Sequence, residues 1–175
     1  MADTGRTLAA LQALLADNTA GAISPQDLRD ALVSCLGCYG EMYVTGGSTA
    51  QTGIGTAAVD ITAFTTAGAS EQTTVDVVTG DTITVTVGGV YLLVLTGSYT
   101  GTVSTTFTVY VAVNGVNVGA GSVSLLDAAG AGGHAAVQAL ATLAAADEVT
   151  GTIKANGASK SATITEASLQ VIRIG

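Results

Sequence analysis

Residues 88–119 read GGVYLLVLTGSYTGTVSTTFTVYVAVNGVNVG, and this stretch decides the fold. Its second half alternates strictly: Phe107, Val109, Val111 and Val113 fall on one face of an extended chain, and Thr108, Tyr110 and Ala112 on the other. A period of two is the signature of a half-buried strand. Asn114-Gly115 follows at once, and Val116-Asn117-Val118 resumes the alternation. A two-residue hairpin turn of type I′ needs positive φ at both central residues, which Asn and Gly tolerate best. The run 90–95 supplies a further apolar, β-rich segment just upstream.

The same pattern recurs on either side. Strand-like runs at 58–64, 73–78 and 82–87 precede the hairpin, and runs at 122–126, 134–143, 148–155, 161–165 and 168–174 follow it. Val78-Thr79-Gly80-Asp81 and Asn156-Gly157 are turn signals between them. Residues 135–146 are rich in alanine, a helix former, but Val137, Ala139 and Ala141 keep the two-residue period, so a strand is expected there too. About ten short strands divided by Gly, Asn and Asp turns define a mainly β chain, an antiparallel sandwich or barrel, with the jelly roll as first choice.

The first forty residues differ. Leu8, Leu11, Leu14 and Leu15 suit one short amphipathic helix, which Asn18 and Gly21 would stop. A second begins at Ile23-Ser24-Pro25-Gln26-Asp27-Leu28: Ser24 caps, Pro25 takes the first helical position, Asp27 complements the exposed amides, and Ile23 with Leu28 forms a hydrophobic staple. Leu28, Ala31, Leu32, Cys35, Leu36 and Tyr39 continue its apolar stripe until Gly37 or Gly40 ends it. Two such helices are too short to form a core alone. They are expected to pack within an oligomer or to dock on a larger assembly, with Ile23, Leu28, Leu32, Cys35, Leu36 and Tyr39 as contact residues. The expected organisation is therefore a helical anchor at 1–43, a Gly/Thr-rich linker or arm at 44–57, and a β head at 58–175.

Composition narrows the function. Charged residues make up only 10% of the 175, against a usual quarter or so, which fits a Thr/Ser/Gly surface and burial against copies of the same chain. A net charge of −8 with five scattered basic residues leaves no patch for phosphates, so no nucleic acid is expected. No apolar run approaches the roughly 18–20 residues that span a bilayer, and the start lacks the pattern of a secretory signal; a soluble chain without a membrane partner is expected.

Catalytic and cofactor readings find little support. A cupin-type metal site needs several histidines, and the chain has one, His134, expected as a surface or strand-start residue. There is no G-x-S-x-G elbow for a serine nucleophile. Asp76, Asp81, Asp127, Asp147 and Glu148 lack the close spacing of a calcium loop and read as solvated turn carboxylates. Cys35-Leu36-Gly37-Cys38 has a redox or metal spacing but no second ligand pair and no βαβ context. The two cysteines are read as small apolar packing residues, as partners in cross-chain disulfides, or, last, as metal ligands. No enzyme and no cofactor are expected.

Two resemblances add to this. Gly89-x-Tyr91, then 107–113 with Asn114-Gly115-Val116, then Leu143 followed by Asp147-Glu148-Val149, then the final apolar run 167–174 resemble the globular head of the complement and tumour necrosis factor superfamily. That family usually has glycine where this chain has Ala146. The resemblance implies a ten-stranded jelly roll assembled as a homotrimer. The segment 18–31 together with 39–44 is similar to segments of bacteriophage virion proteins: head fibres, decoration proteins and tail fibres. It implies a virion location, with the major capsid protein or another virion protein as partner. The expected function is a capsid decoration or head-fibre trimer, and the rival is a receptor- or carbohydrate-binding tail-fibre tip.

Overall fold

The computed structural model describes residues 37–44, 49–126 and 132–175, with Ser24, Arg29 and Ala31 as isolated positions. Arg29 and Ala31 have helical backbone; the remainder of the two expected helices lies outside the described residues. Among the described residues there are twelve strands: β1 (Tyr39–Tyr43), β2 (Thr49–Ile54), β3 (Val59–Asp60), β4 (Thr66–Glu71), β5 (Thr73–Asp76), β6 (Thr82–Val85), β7 (Gly89–Gly101), β8 (Thr105–Val113), β9 (Val116–Leu126), β10 (Gly132–Leu143), β11 (Glu148–Ala155) and β12 (Lys160–Arg173). They form two six-stranded antiparallel sheets. The first runs β10-β7-β12-β1-β4 with β2 beside β12, and the second β5-β6-β11-β8-β9 with β3 beside β11.

The alternation seen in the sequence sets the faces. Phe107, Val109 and Val111 of β8 meet Tyr91, Leu93 and Leu95 of β7, Val137 of β10 and Leu169 and Val171 of β12 in one buried core. Tyr99 and Phe107 meet edge to face at 5.6 Å. Asn114 and Gly115 turn the β8–β9 hairpin at φ of 50° and 76°, as the type I′ turn requires. The Asn114 side chain then ties the turn to the next loop, donating to Asp147 Oδ1 at 2.9 Å and accepting from the Glu148 N–H at 3.0 Å.

The sheets are joined at both sides. On one, the chain crosses from β4 to β5 through Gln72 at φ 52°, and Thr73 Oγ1 donates to the Tyr39 carbonyl at 2.7 Å. On the other, β9 lies along the free edge of β10: Ser124 Oγ donates to the His134 carbonyl at 2.6 Å, and Ala136 N–H donates to Ser122 Oγ at 3.4 Å. Serine hydroxyls here take the place of a backbone ladder.

Several expectations are corrected. The runs 161–165 and 168–174 are one strand, β12, with a bulge between Ile164 and Glu166. The run 122–126 belongs to β9, which kinks at Gly119 (φ 72°). Of 58–64 only Val59–Asp60 pairs, and Ile61, Ala63 and Phe64 enter the core from irregular chain. The boundaries at 43 and 57 do not hold, because β1 sits between β12 and β4, and β2 pairs with β12 inside the supposed linker. Tyr39 is therefore a strand residue of the head. Gly37 at φ 91° turns the chain just before it, a conformation an α-helix does not contain.

Candidate assembly face

Antiparallel pairing brings distant residues into rows on the outer surface of the first sheet. Leu140 faces Leu92, Leu92 faces Ile172 and Ile172 faces Tyr39, so four apolar side chains cross β10, β7, β12 and β1 in one line. Leu140 is 67% exposed, Tyr39 40% and Ile172 39%. Val90 and Ile174 extend the band toward the end where Gly37 enters, and both are exposed. The next row is Gln138, Val94, Gln170 and Glu41, in which Gln170 Nε2 donates to Glu41 Oε1 at 2.8 Å. Ser168 Oγ adds a bond to the same oxygen at 3.2 Å. The carboxylate of Glu41 is thus partly satisfied within the sheet.

Two grooves open on this face. One, of about 250 Å³, is lined by Tyr39, Gly40, Glu41, Ala69, Gln170 and Ile172. The other, of about 620 Å³, lies at the far end, over Thr96, Ser98, His134, Ala136, Glu166 and Ser168. Near Ile61, Leu95, Tyr99 and Val109 lies an apolar void of about 20 Å³, too small for an organic ligand. Among the described residues no three His, Cys, Asp or Glu side chains of one chain converge as a metal site.

Of the contact residues expected from the sequence, Ile23, Leu28, Leu32, Cys35 and Leu36 lie outside the described residues. Tyr39 lies on the apolar row. Cys38 is a free thiol buried in the head core, where its Sγ donates to the Gln72 carbonyl at 3.1 Å and lies 3.0 Å from Tyr91 Oη. Tyr91 in turn donates to the Val87 carbonyl at 2.5 Å. Burial pushes the Cys38 thiol above its ordinary pKa, so it stays protonated and poorly nucleophilic. A cross-chain disulfide through Cys38 would require the core to open.

The turn carboxylates are held in different ways. Asp76 Oδ1 accepts the Val78 and Thr79 N–H groups at 2.8 and 3.0 Å, and its Oδ2 accepts the Thr79 hydroxyl. The Thr79 hydroxyl first, then these amides, hold Asp76 below the usual carboxylate range. The Asn114 amide first, with the Ala144 N–H, does the same for Asp147. Asp81 is the exception. Desolvation first, then the charge of Asp76, raise it to about 6, and its Oδ1 is buried without a hydrogen-bond partner.

What these features define is a closed antiparallel jelly roll with one apolar outer face. No protein-family model matches the sequence, and no curated protein sequence matches it. Solved structures do. The Eiger TNF of S. frugiperda aligns with a TM-score of 0.53 at 9% identity, covering 79% of this chain and 93% of that one. Murine APRIL at pH 5.0 aligns at 13% identity and a TM-score of 0.47, over 79% of this chain and 99% of that one. At identities this low the likeness is one of fold: the chain shares the jelly roll of a tumour necrosis factor.

The sequence did not point to Leu140, Leu92 or Ile172 as surface residues. Each stood in a run whose alternation marked a strand, but only the cross-strand register shows that they share an outer row.

Proposed function

We propose that this protein is a non-enzymatic structural component of a bacteriophage particle, a capsid decoration or head-fibre homotrimer whose β head projects from an N-terminal anchor. The observation that carries the assembly half is the row Leu140–Leu92–Ile172–Tyr39, which has no cover within the described chain. Contiguous apolar surface of this kind is characteristic of interfaces. The particle half rests on the sequence of 18–31 and 39–44, and the number three on the family resemblance.

The layout supports an anchor and a projecting head. The anchor segment joins at Gly37, beside the Tyr39–Ile172 pair, while the turns at 102–104 and 156–159 close the opposite end, where Thr102 N–H donates to the Ser161 carbonyl at 2.9 Å. β7 spans 13 residues, about 40 Å of strand between these ends. Because β1 is an internal strand, the informative truncation removes residues 1–36 and keeps Cys38 to Tyr43. That head should remain folded and trimeric but fail to attach to particles. Changing Leu28 and Leu32 together to Asp in the full chain should also abolish attachment. Imaging of purified particles tests location: many copies over the capsid support decoration, and a few at the tail end would favour the receptor-binding reading instead.

A further inference from the structure

We infer that Asn156-Gly157, in the loop between β11 and β12, is a site of spontaneous deamidation and isoaspartate formation, and that hydrogen bonding protects the other Asn-Gly pair, Asn114-Gly115, from the same reaction. Water is the only reagent. The Gly157 backbone nitrogen attacks Asn156 Cγ, the Cγ–Nδ2 bond breaks, and the amide group leaves as ammonia with the proton that Gly157 gives up, closing a five-membered imide. Water then opens the ring at either carbonyl. One product is aspartate, and the other is isoaspartate, with the chain rerouted through the side chain. Glycine in the second position favours ring closure because no Cβ hinders the approach of its nitrogen.

The two pairs differ in what holds them. Both asparagines are exposed, so access of water does not separate them. Asn114 sits at φ 50° in the hairpin turn, with Nδ2 donating to Asp147 Oδ1 at 2.9 Å and Oδ1 accepting the Glu148 N–H at 3.0 Å. Its Cγ cannot swing toward the Gly115 nitrogen until both bonds break, and the group that must leave is itself held. At Asn156 the backbone N–H donates to the Thr106 carbonyl at 3.0 Å, but among the described residues no hydrogen bond restrains the side chain or the Gly157 N–H. Residues 156–159 also lie outside the strands, so the reacting groups can meet without breaking a ladder.

Local charge points the same way. Lys160 Cε comes within 3.2 Å, and its Nζ within 4.0 Å, of the point that a Cβ on Gly157 would occupy. A cation beside Gly157 favours loss of the amide proton and the negative charge that develops on the closing ring, whereas the Asp147 carboxylate beside Asn114 opposes both. The new carboxylate and the extra backbone methylene of isoaspartate fall at the tip opposite Gly37, clear of the row Leu140–Leu92–Ile172–Tyr39.

The test incubates the folded full chain at pH 8 and follows both Asn-Gly peptides by proteolysis and mass spectrometry, with an isoaspartyl methyltransferase reporting the rerouted product. Asn156 should convert about 10- to 100-fold faster than Asn114, the factor set by one or two hydrogen bonds that must break first. In denaturant the two rates should become equal. Asp147→Ala should speed Asn114 by about 10-fold and leave Asn156 unchanged. Asn156→Gln should lose the acidic species on ion exchange, and Gly157→Ala should lose it too, because the added Cβ crowds the attacking nitrogen. A folded chain in which Asn156 converts no faster than Asn114 overturns the inference. A rate difference that persists undiminished in denaturant overturns it as well, since the fold would then not be its source.

Discussion

The two sheets present outer faces of opposite character. On the second sheet, polar groups are paired within the chain: Thr152 Oγ1 donates to Asn117 Oδ1 at 2.8 Å, Thr150 Oγ1 lies 3.4 Å from Asp60 Oδ1, and the Lys154 ammonium stands 5.1 Å over the Tyr110 ring. Thr150 and Thr152 are buried, and Asp60 and Asn117 accept their hydroxyls. The first sheet carries Leu140, Leu92, Ile172 and Tyr39 with nothing over them among the described residues. One face is finished inside a single chain, and the other is a surface whose side chains gain most from a second molecule. The hydrophobic gain goes with apolar area removed from water, so assembly should depend on the first face and monomer stability on the second.

The largest effect should come from Leu140→Asp combined with Ile172→Asp. Two uncompensated charges at the centre of the row oppose burial by several kcal/mol, and light scattering should show the proposed trimer replaced by monomer. A double variant that stays trimeric would move the interface elsewhere. Thr152→Val should leave the oligomer unchanged and cost about 1 kcal/mol in denaturant unfolding, since it leaves the Asn117 oxygen without its donor.

Asp81→Asn should act through pH. The folded-state pKa is raised to about 6 from an ordinary 3.8, so the parent is most stable when the group is protonated and loses that stability as pH rises from near 4 through 6. The variant should gain about 1 kcal/mol at pH 8, allowing for solvent screening, and almost nothing at pH 4. Asp76 and Asp147, held low, have the opposite sign and lose their contributions on acidification below the ordinary carboxylate range. The smallest effect belongs to Ala146→Gly. Ala146 sits at φ 74°, where a Cβ is strained, and glycine should raise stability by about 0.5 kcal/mol without touching either face. That would give a firmer background in which to read the other changes.

Much of the head was legible in the sequence because its strands are long and alternate. β7, β8, β10 and β11 and the Asn114-Gly115 turn follow from period and turn chemistry alone. β1, β2 and β4 did not: YGEMY fell within the expected helical anchor, TAQTGI within the expected linker and TAGASE between strand-like runs, since all three carry few large apolar residues. Gly40 explains one of them. A Cβ there would lie 2.6 Å from Thr73 Oγ1 and 2.8 Å from Ile83 Cγ2, so the core at that point is filled from across the sandwich and the strand shows no bulky residue of its own. The apolar stripe ran on to Tyr39, and of the two glycines expected to end it, Gly37 is the one that turns the chain ahead of β1. The assembly row was hidden for a different reason: its members are separated by tens of residues, and register between such strands is a property of the fold.

The serine seam along β10 bears on how such molecules can multiply. A flat apolar sheet with an open edge would offer both a surface to stack on and a template for adding strands sideways, and sideways growth has no natural end. Ser122 and Ser124 meet the backbone of His134 and Ala136 on that edge. Recruitment is thereby steered to the face, where copies of the proposed trimer, arranged around an axis, would close on themselves and give an object of fixed size rather than a fibre.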